Sequence, residues 1–235
     1  VYSVSKEDIW ISRIPLPVKR KVLGSVNDNF DEMDAGRKIM DWNIYSPSWC
    51  PVEIVDGPDN NSKSLRLMDT DPYDYARATR VFGEAERQEI SFDFYIESNP
   101  EVFQIDICDA NGNRLVQMEV DSCSHLLANN SLNIKSTSTQ ITKGSWNNII
   151  IEYDANSNNY SISVNGDQIF EDYKMDVGGI PQRIDFRTGM YRLDRKISKF
   201  KSESKNIPGY DEPNADFLSD AGVFYIRRFS TKILY

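Results

Sequence analysis

Along most of the chain, apolar and polar residues alternate with a period of two, in short runs bounded by Gly, Asn, Asp and Pro, and no window sustains a helical period. The clearest runs, residues 64–68, 75–82, 89–96, 102–108, 114–120, 147–153, 160–164, 182–187 and 223–229, predict strands. Within one of them Ile90, Phe92, Phe94 and Ile96 share a side, while Ser91, Asp93 and Tyr95 share the other. The next run repeats the scheme, with Phe103, Ile105 and Ile107 inward and Gln104 and Asp106 outward. A polar outer face is therefore expected to pass from one strand to its neighbour. Asn111-Gly112 and Asn165-Gly166 tolerate the positive φ of tight hairpins, and residues 154–159 make a longer connection. Strands with one apolar face each are stable when two sheets stack those faces. The pattern thus predicts an all-β fold, a two-sheet antiparallel jelly-roll sandwich.

Two stretches break the rhythm. Residues 1–24 carry a short strand that runs through Trp10 into Pro15-Leu16-Pro17, and read as the end of an upstream domain plus a linker, with the sandwich over 25–235. A start in strand-like alternation without an initiator Met suggests a module of something longer. Residues 193–220, rich in Lys, Ser, Asp and Pro, read as a long exposed loop.

Composition narrows the class. With 235 residues, 40% of them hydrophobic and 11% aromatic, the chain can bury the core of one large β domain. A net charge of -9 repels phosphate backbones, which argues against nucleic acid. No apolar run approaches the roughly 20 residues of a membrane span, so no membrane insertion is expected. Cys50, Cys108 and Cys123 are odd in number and lack metal-type spacing. A bridge between Cys108 and Cys123 requires that their strands lie adjacent.

The run Asn29-Phe30-Asp31, then Gly36, Trp42-Asn43-Ile44 and Ser64 to Asp69, resembles the opening of concanavalin A-like lectin/glucanase sandwiches. Trp146 to Tyr153 followed by Tyr160 to Gly166 is similar to a two-strand unit of laminin G-like modules, and Asp185 to Gly189 resembles their late concave strand. The head, Ser5 to Pro15, resembles the closing strand of sialidase-like β-propellers in secreted bacterial enzymes that degrade glycans and carry a C-terminal sandwich. These resemblances imply an extracellular or periplasmic accessory module, with the catalytic machinery on an upstream domain of the same chain.

The residues bear on several chemistries. Retaining glucanases of this class need a Glu-x-Asp-x-x-Glu run, so that acid and nucleophile project from one strand face. Here Gln104, Asp106 and Asp109 stand instead, which disfavours that activity and leaves a solvated strand face as the plain reading. A jelly-roll polysaccharide lyase needs Tyr or His to move protons, and Arg or Gln to neutralise a uronate. Arg187, Tyr191, Gln104 and the single histidine, His125, offer those parts, although a lone His in 122–128 is more often a loop residue. Sugar binding needs only aromatic planes and planar hydrogen-bonding groups. Tyr75, Arg77, Tyr95, Gln104, Arg187 and Tyr191 are expected on an outer concave sheet, with Arg77 and Arg187 suited to an acidic sugar. Taken singly, each is also an ordinary surface residue.

Asp28 and Asp31, and the acidic turn of Asp69, Asp71 and Asp74, are the candidate ligands of a structural calcium ion. Acidic turns of this kind are otherwise simply solvated. Trp42 and Trp49-Cys50-Pro51 are expected to fill the gap between sheets or seal one end. The sequence therefore points first to a non-catalytic module that binds oligo- or polysaccharide. The rivals are a jelly-roll lyase or glycoside hydrolase, and a structural module that packs on a catalytic propeller.

Overall fold

A computed structural model describes residues 2–4, 8–10, 24–35, 39–130, 133–175, 177–189 and 217–235. Its core is a pair of stacked antiparallel sheets, as the period-two pattern requires. The seven-stranded sheet follows the spatial order β12 (Asn133–Gln140), β11 (His125–Asn130), β10 (Arg114–Val120), β9 (Phe103–Cys108), β16 (Arg183–Thr188), β7 (Arg77–Val81) and β4 (Trp42–Tyr45). The eight-stranded sheet runs β15 (Asp167–Lys174), β14 (Asn159–Val164), β13 (Trp146–Asp154), β8 (Arg87–Ser98), β17 (Gly222–Ile233), β6 (Lys63–Asp69) and β5 (Val52–Asp56), with β3 (Asn27–Asp28) also on β17. At the head of the chain, β1 (Tyr2–Val4) and β2 (Asp8–Trp10) form a separate two-stranded pair. Among the described residues, no helix is long and apolar enough to cross a membrane.

The inward residues are those the alternation selects. Ile90, Phe92, Phe94 and Ile96 of β8 and Phe103, Ile105 and Ile107 of β9 are completely buried. Each such side chain contributes about 1.5–3 kcal/mol by leaving water. Trp42 is core, as expected, with its ring 5.4 Å from that of Phe229 and 6.1 Å from that of Phe186.

One expectation is corrected. The β8 and β9 strands, consecutive in sequence, are not neighbours in one sheet: β8 pairs with β13 and β17, whereas β9 pairs with β10 and β16. The link between them crosses from one layer to the other, so their polar faces point to opposite sides of the molecule. A continuous outer face across both does not exist.

A second departure lies in the core. Arg80 of β7 points inward beside Ala78, and its Nε and Nη2 donate to Asp28 Oδ2 and Oδ1 at 2.6 and 2.9 Å. Trp42 Nε1 donates to the same carboxylate at 3.0 Å. Because Asp28 sits on β3 and Arg80 on β7, this ion pair ties the two sheets together at one end.

Cys50, Cys108 and Cys123 are free thiols. The Cys108–Cys123 bridge is excluded by register. Cys108 lies level with Arg114 at the start of β10, whereas Cys123 follows Val120 at its far end. The expected loop over 193–220 falls mostly outside the described residues.

Candidate functional site

The outer face of the seven-stranded sheet carries a row of polar side chains aligned by register. Glu119 of β10 is level with Gln104 of β9, Gln104 with Arg187 of β16, Arg187 with Arg77 of β7, and Arg77 with Tyr45 of β4. Four inter-strand spacings make this row about 19 Å long, the span of a short oligosaccharide rather than of one sugar ring. All five point outward because their sequence neighbours, such as Phe103, Ile105, Phe186 and Ala78, point into the core.

Tyr75, just before β7, completes the row. The Arg187 guanidinium lies 3.8 Å from the centre of the Tyr75 ring, a cation–π contact that fixes its plane. The Tyr45 ring packs against Tyr75 at 5.0 Å, and its hydroxyl donates to the Asp74 carboxylate at 3.0 and 3.1 Å. Burial, reinforced by that carboxylate, holds the Tyr45 phenol well above the usual tyrosine range, so it remains a neutral donor. Glu119, at the other end, is pushed up by burial and then by the charge of Asp121.

The floor of the row is deep. Gln104 is 9% exposed and Arg187 6%, while Tyr45, Tyr75 and Arg77 are half-buried. Gln104 Oε1 and Arg77 Nε are buried polar atoms without a hydrogen-bond partner among the described residues. Such an atom costs roughly 1–3 kcal/mol. One row further along, the polar groups are instead consumed locally. Arg114 lies 3.3 Å from Asp106, and Thr79 donates to Asp185.

Of the six residues expected to face sugar, four therefore meet: Tyr75, Arg77, Gln104 and Arg187. Tyr95 does not join them, because β8 belongs to the other sheet; its ring sits 5.4 Å from Trp146 and 5.8 Å from Tyr225. That opposite face satisfies itself. Arg227 covers Trp146 at 4.0 Å and pairs with Asp93 at 3.0 Å and Asp59 at 2.7 Å. Tyr191 lies outside the described residues. Tyr45 and Glu119 join the row without having been singled out in the sequence, for only strand pairing brings β4 and β10 to the same level.

The lyase grouping is not assembled among the described residues. His125 opens β11 rather than lying in a loop; it stands three inter-strand spacings, about 14 Å, across from Arg187 and two residues off its level, where β11 carries Leu127. Its Nδ1 is engaged with Asp121 Oδ2 at 3.0 Å.

The expected calcium ligands do not fit a hard cation. Asp28 is neutralised by Arg80, and Asp31 Oδ1 accepts from the Lys63 backbone at 2.5 Å. Asp71 Oδ1 accepts from the Tyr73 and Asp74 backbones, and Asp69 accepts from Thr188 Oγ1, Cys50 Sγ and the Asp71 backbone. Six to eight converging free oxygens are what calcium requires.

A protein-family model described as "Sialidase-like, CBM domain" matches residues 42–197, a span that includes every strand of the seven-stranded sheet. A solved sialidase superposes with a TM-score of 0.82 at 26% identity, over 99% of this chain and 20% of that one. The chain thus spans about a fifth of the length of that sialidase. The transglycosylase Crh5 superposes with a TM-score of 0.60 at 10% identity, over 91% of this chain and 86% of its own. The alginate lyase Aly36B, solved with an alginate trisaccharide, gives 0.56 at 10% identity, over 92% of this chain and 100% of its own. These last two likenesses are of fold. None of the curated proteins matches the chain.

Proposed function

The chain belongs to the sialidase-like CBM family, the carbohydrate-binding modules of sialidase-like proteins, and on that premise we propose that the row Glu119, Gln104, Arg187, Arg77 and Tyr45 binds oligo- or polysaccharide. In this reading the module is non-catalytic and belongs to a secreted bacterial enzyme that degrades glycans, whose catalytic domain lies upstream in the same chain. The observation that carries the binding site is the orphaned pair, Gln104 Oε1 and Arg77 Nε, beside a guanidinium held flat by Tyr75. Sugar hydroxyls are both donors and acceptors, so they suit an orphan acceptor and an orphan donor together; both atoms are enclosed, so the Gln104 and Arg77 side chains turn outward to meet them. Arg77 and Arg187, adjacent across β7 and β16, favour an acidic sugar through charge-assisted bonds.

The same orphan atom supplies a test that separates a binding role from a structural one. Replacing an unpaired buried amide by an apolar group of similar shape is neutral or stabilising. Gln104→Leu is therefore expected to keep or raise the thermal midpoint while weakening glycan binding by about tenfold or more. The measurement is a glycan array followed by calorimetry on the best neutral and acidic hits. Unchanged affinity in Gln104→Leu and Arg77→Ala removes the site from this face, and release of products from the bound glycan replaces the module with an enzyme.

A further inference from the structure

Beyond the end of the row, the turn from β10 to β11 gathers three side chains of different donor chemistry. A carboxylate oxygen of Asp121, the sulfur of Cys123 and an imidazole nitrogen of His125 lie within 4.8 Å of one another, the one group of this kind among the described residues. We propose that Asp121, Cys123 and His125 bind a borderline-soft divalent cation of the zinc class, which closes the β10–β11 turn. The site is separate from the sugar row and does not depend on that reading.

The local fold explains the convergence. Residues 121, 123 and 125 alternate along the turn, and Ser124 adopts a left-handed conformation (φ 66) whose N–H returns to Asp121 O at 2.8 Å. Asp121 Oδ1 accepts from the Cys123 and His125 backbones at 2.9 and 2.8 Å, which aims Oδ2 at the imidazole.

The donor set selects the metal. One thiolate, one imidazole and one carboxylate suit zinc, which takes ligands at about 2.0–2.3 Å in a tetrahedron, so neighbouring donors stand about 3.3–3.8 Å apart. Asp121 Oδ2 and His125 Nδ1, at 3.0 Å, are already near that spacing, and the Cys123 sulfur lies within 4.8 Å of a donor atom of each. With Nδ1 on the metal, Nε2 carries the ring proton and needs an acceptor; the Gln140 amide nitrogen of β12, which donates to Cys123 O at 3.2 Å, stands 3.3 Å from it, so the Gln140 amide turns its oxygen inward to become the outer-sphere partner. Exposure of about a third of the Asp121 and His125 side chains leaves the fourth position to water, and binding releases the thiol proton.

Cobalt reports this site directly, because a thiolate bound to Co(II) gives an intense near-ultraviolet charge-transfer band. Titration of the metal-free chain with Co(II) is expected to produce that band at one equivalent, and Zn(II) to bleach it. Cys123 is the exposed thiol, whereas Cys50 and Cys108 are buried, so Cys123→Ser abolishes the band while Cys108→Ser leaves it. His125→Ala is expected to weaken Co(II) binding by about tenfold or more. Circular dichroism confirms that each variant is folded. Absence of the band, or its survival in Cys123→Ser, overturns the proposal.

Discussion

At the scale of single residues, the molecule holds two charged arrangements with opposite consequences. Asp28 and Arg80 are both buried, and each supplies what the other needs; the Trp42 indole accounts for the remaining acceptor capacity. Removal of one partner strands the other charge in the core. Asp28→Ala is therefore expected to cost about 3–5 kcal/mol, measured by urea unfolding. Glu101 and Asp69 are the reverse case. Burial, followed by the charge of Asp69, pushes the Glu101 carboxyl up, and burial raises Asp69 as well. A carboxyl with a raised folded-state pKa binds its proton more tightly when folded. Its penalty is thus present at neutral pH and is relieved as pH falls through the folded-state value towards the unfolded value of about 4. Glu101→Gln is expected to raise the thermal midpoint at pH 7 and to flatten its rise as the pH falls from 7 towards the unfolded value of about 4. A midpoint that climbs equally in both proteins over that range assigns the relief elsewhere.

At the scale of elements, eight of the nine predicted runs agree with their strands to within two residues at either end, whereas β17 continues to Ile233, four residues past the run 223–229. The run 114–120 matches β10, and 89–96 lies inside β8. The strands not foreseen are β3, β4, β5, β11, β12 and β15. In β15 only Phe170 is buried, so an edge strand rich in Asp, Glu and Gln offers no alternation to read. The two Asn-Gly turns differ as well. Asn165 and Gly166 both have positive φ, 54 and 88, and close the β14–β15 hairpin tightly. At Asn111-Gly112 only the glycine does, because Asp109 caps a wider loop by accepting from the Asn111 and Asn113 backbones. A methyl group at Gly166 meets nothing within 4 Å, so its cost is conformational alone. Gly166→Ala is expected to lose about 1–2 kcal/mol, the left-handed penalty, with no change in glycan binding; thermal unfolding checks the first and calorimetry the second.

At the scale of the whole molecule, the sugar row was half legible for a topological reason. Alternation says which residues leave the core, but not which sheet they leave from, so Tyr95 and Gln104 were assigned one face although the chain changes layer between them. The layers are set by long-range pairing, and the last strand does most of it. β17 lies between β8 and β6 and also holds β3, joining residues from Asn27 to Ile233. It buries Phe224, Ile226 and Phe229 in the core shared by both sheets. Without it the eight-stranded sheet separates into two pieces, β5–β6 and β8 with β13 to β15, each with a newly exposed edge. Trp42 also loses Phe229, and Asp28 loses the strand that positions it against Arg80. A chain ending at residue 221 is therefore expected to lack a cooperative unfolding transition and to bind apolar dyes, even though the strands of the seven-stranded sheet remain. Calorimetry of that truncation decides the point: a surviving sharp transition means that the seven-stranded sheet folds without its partner.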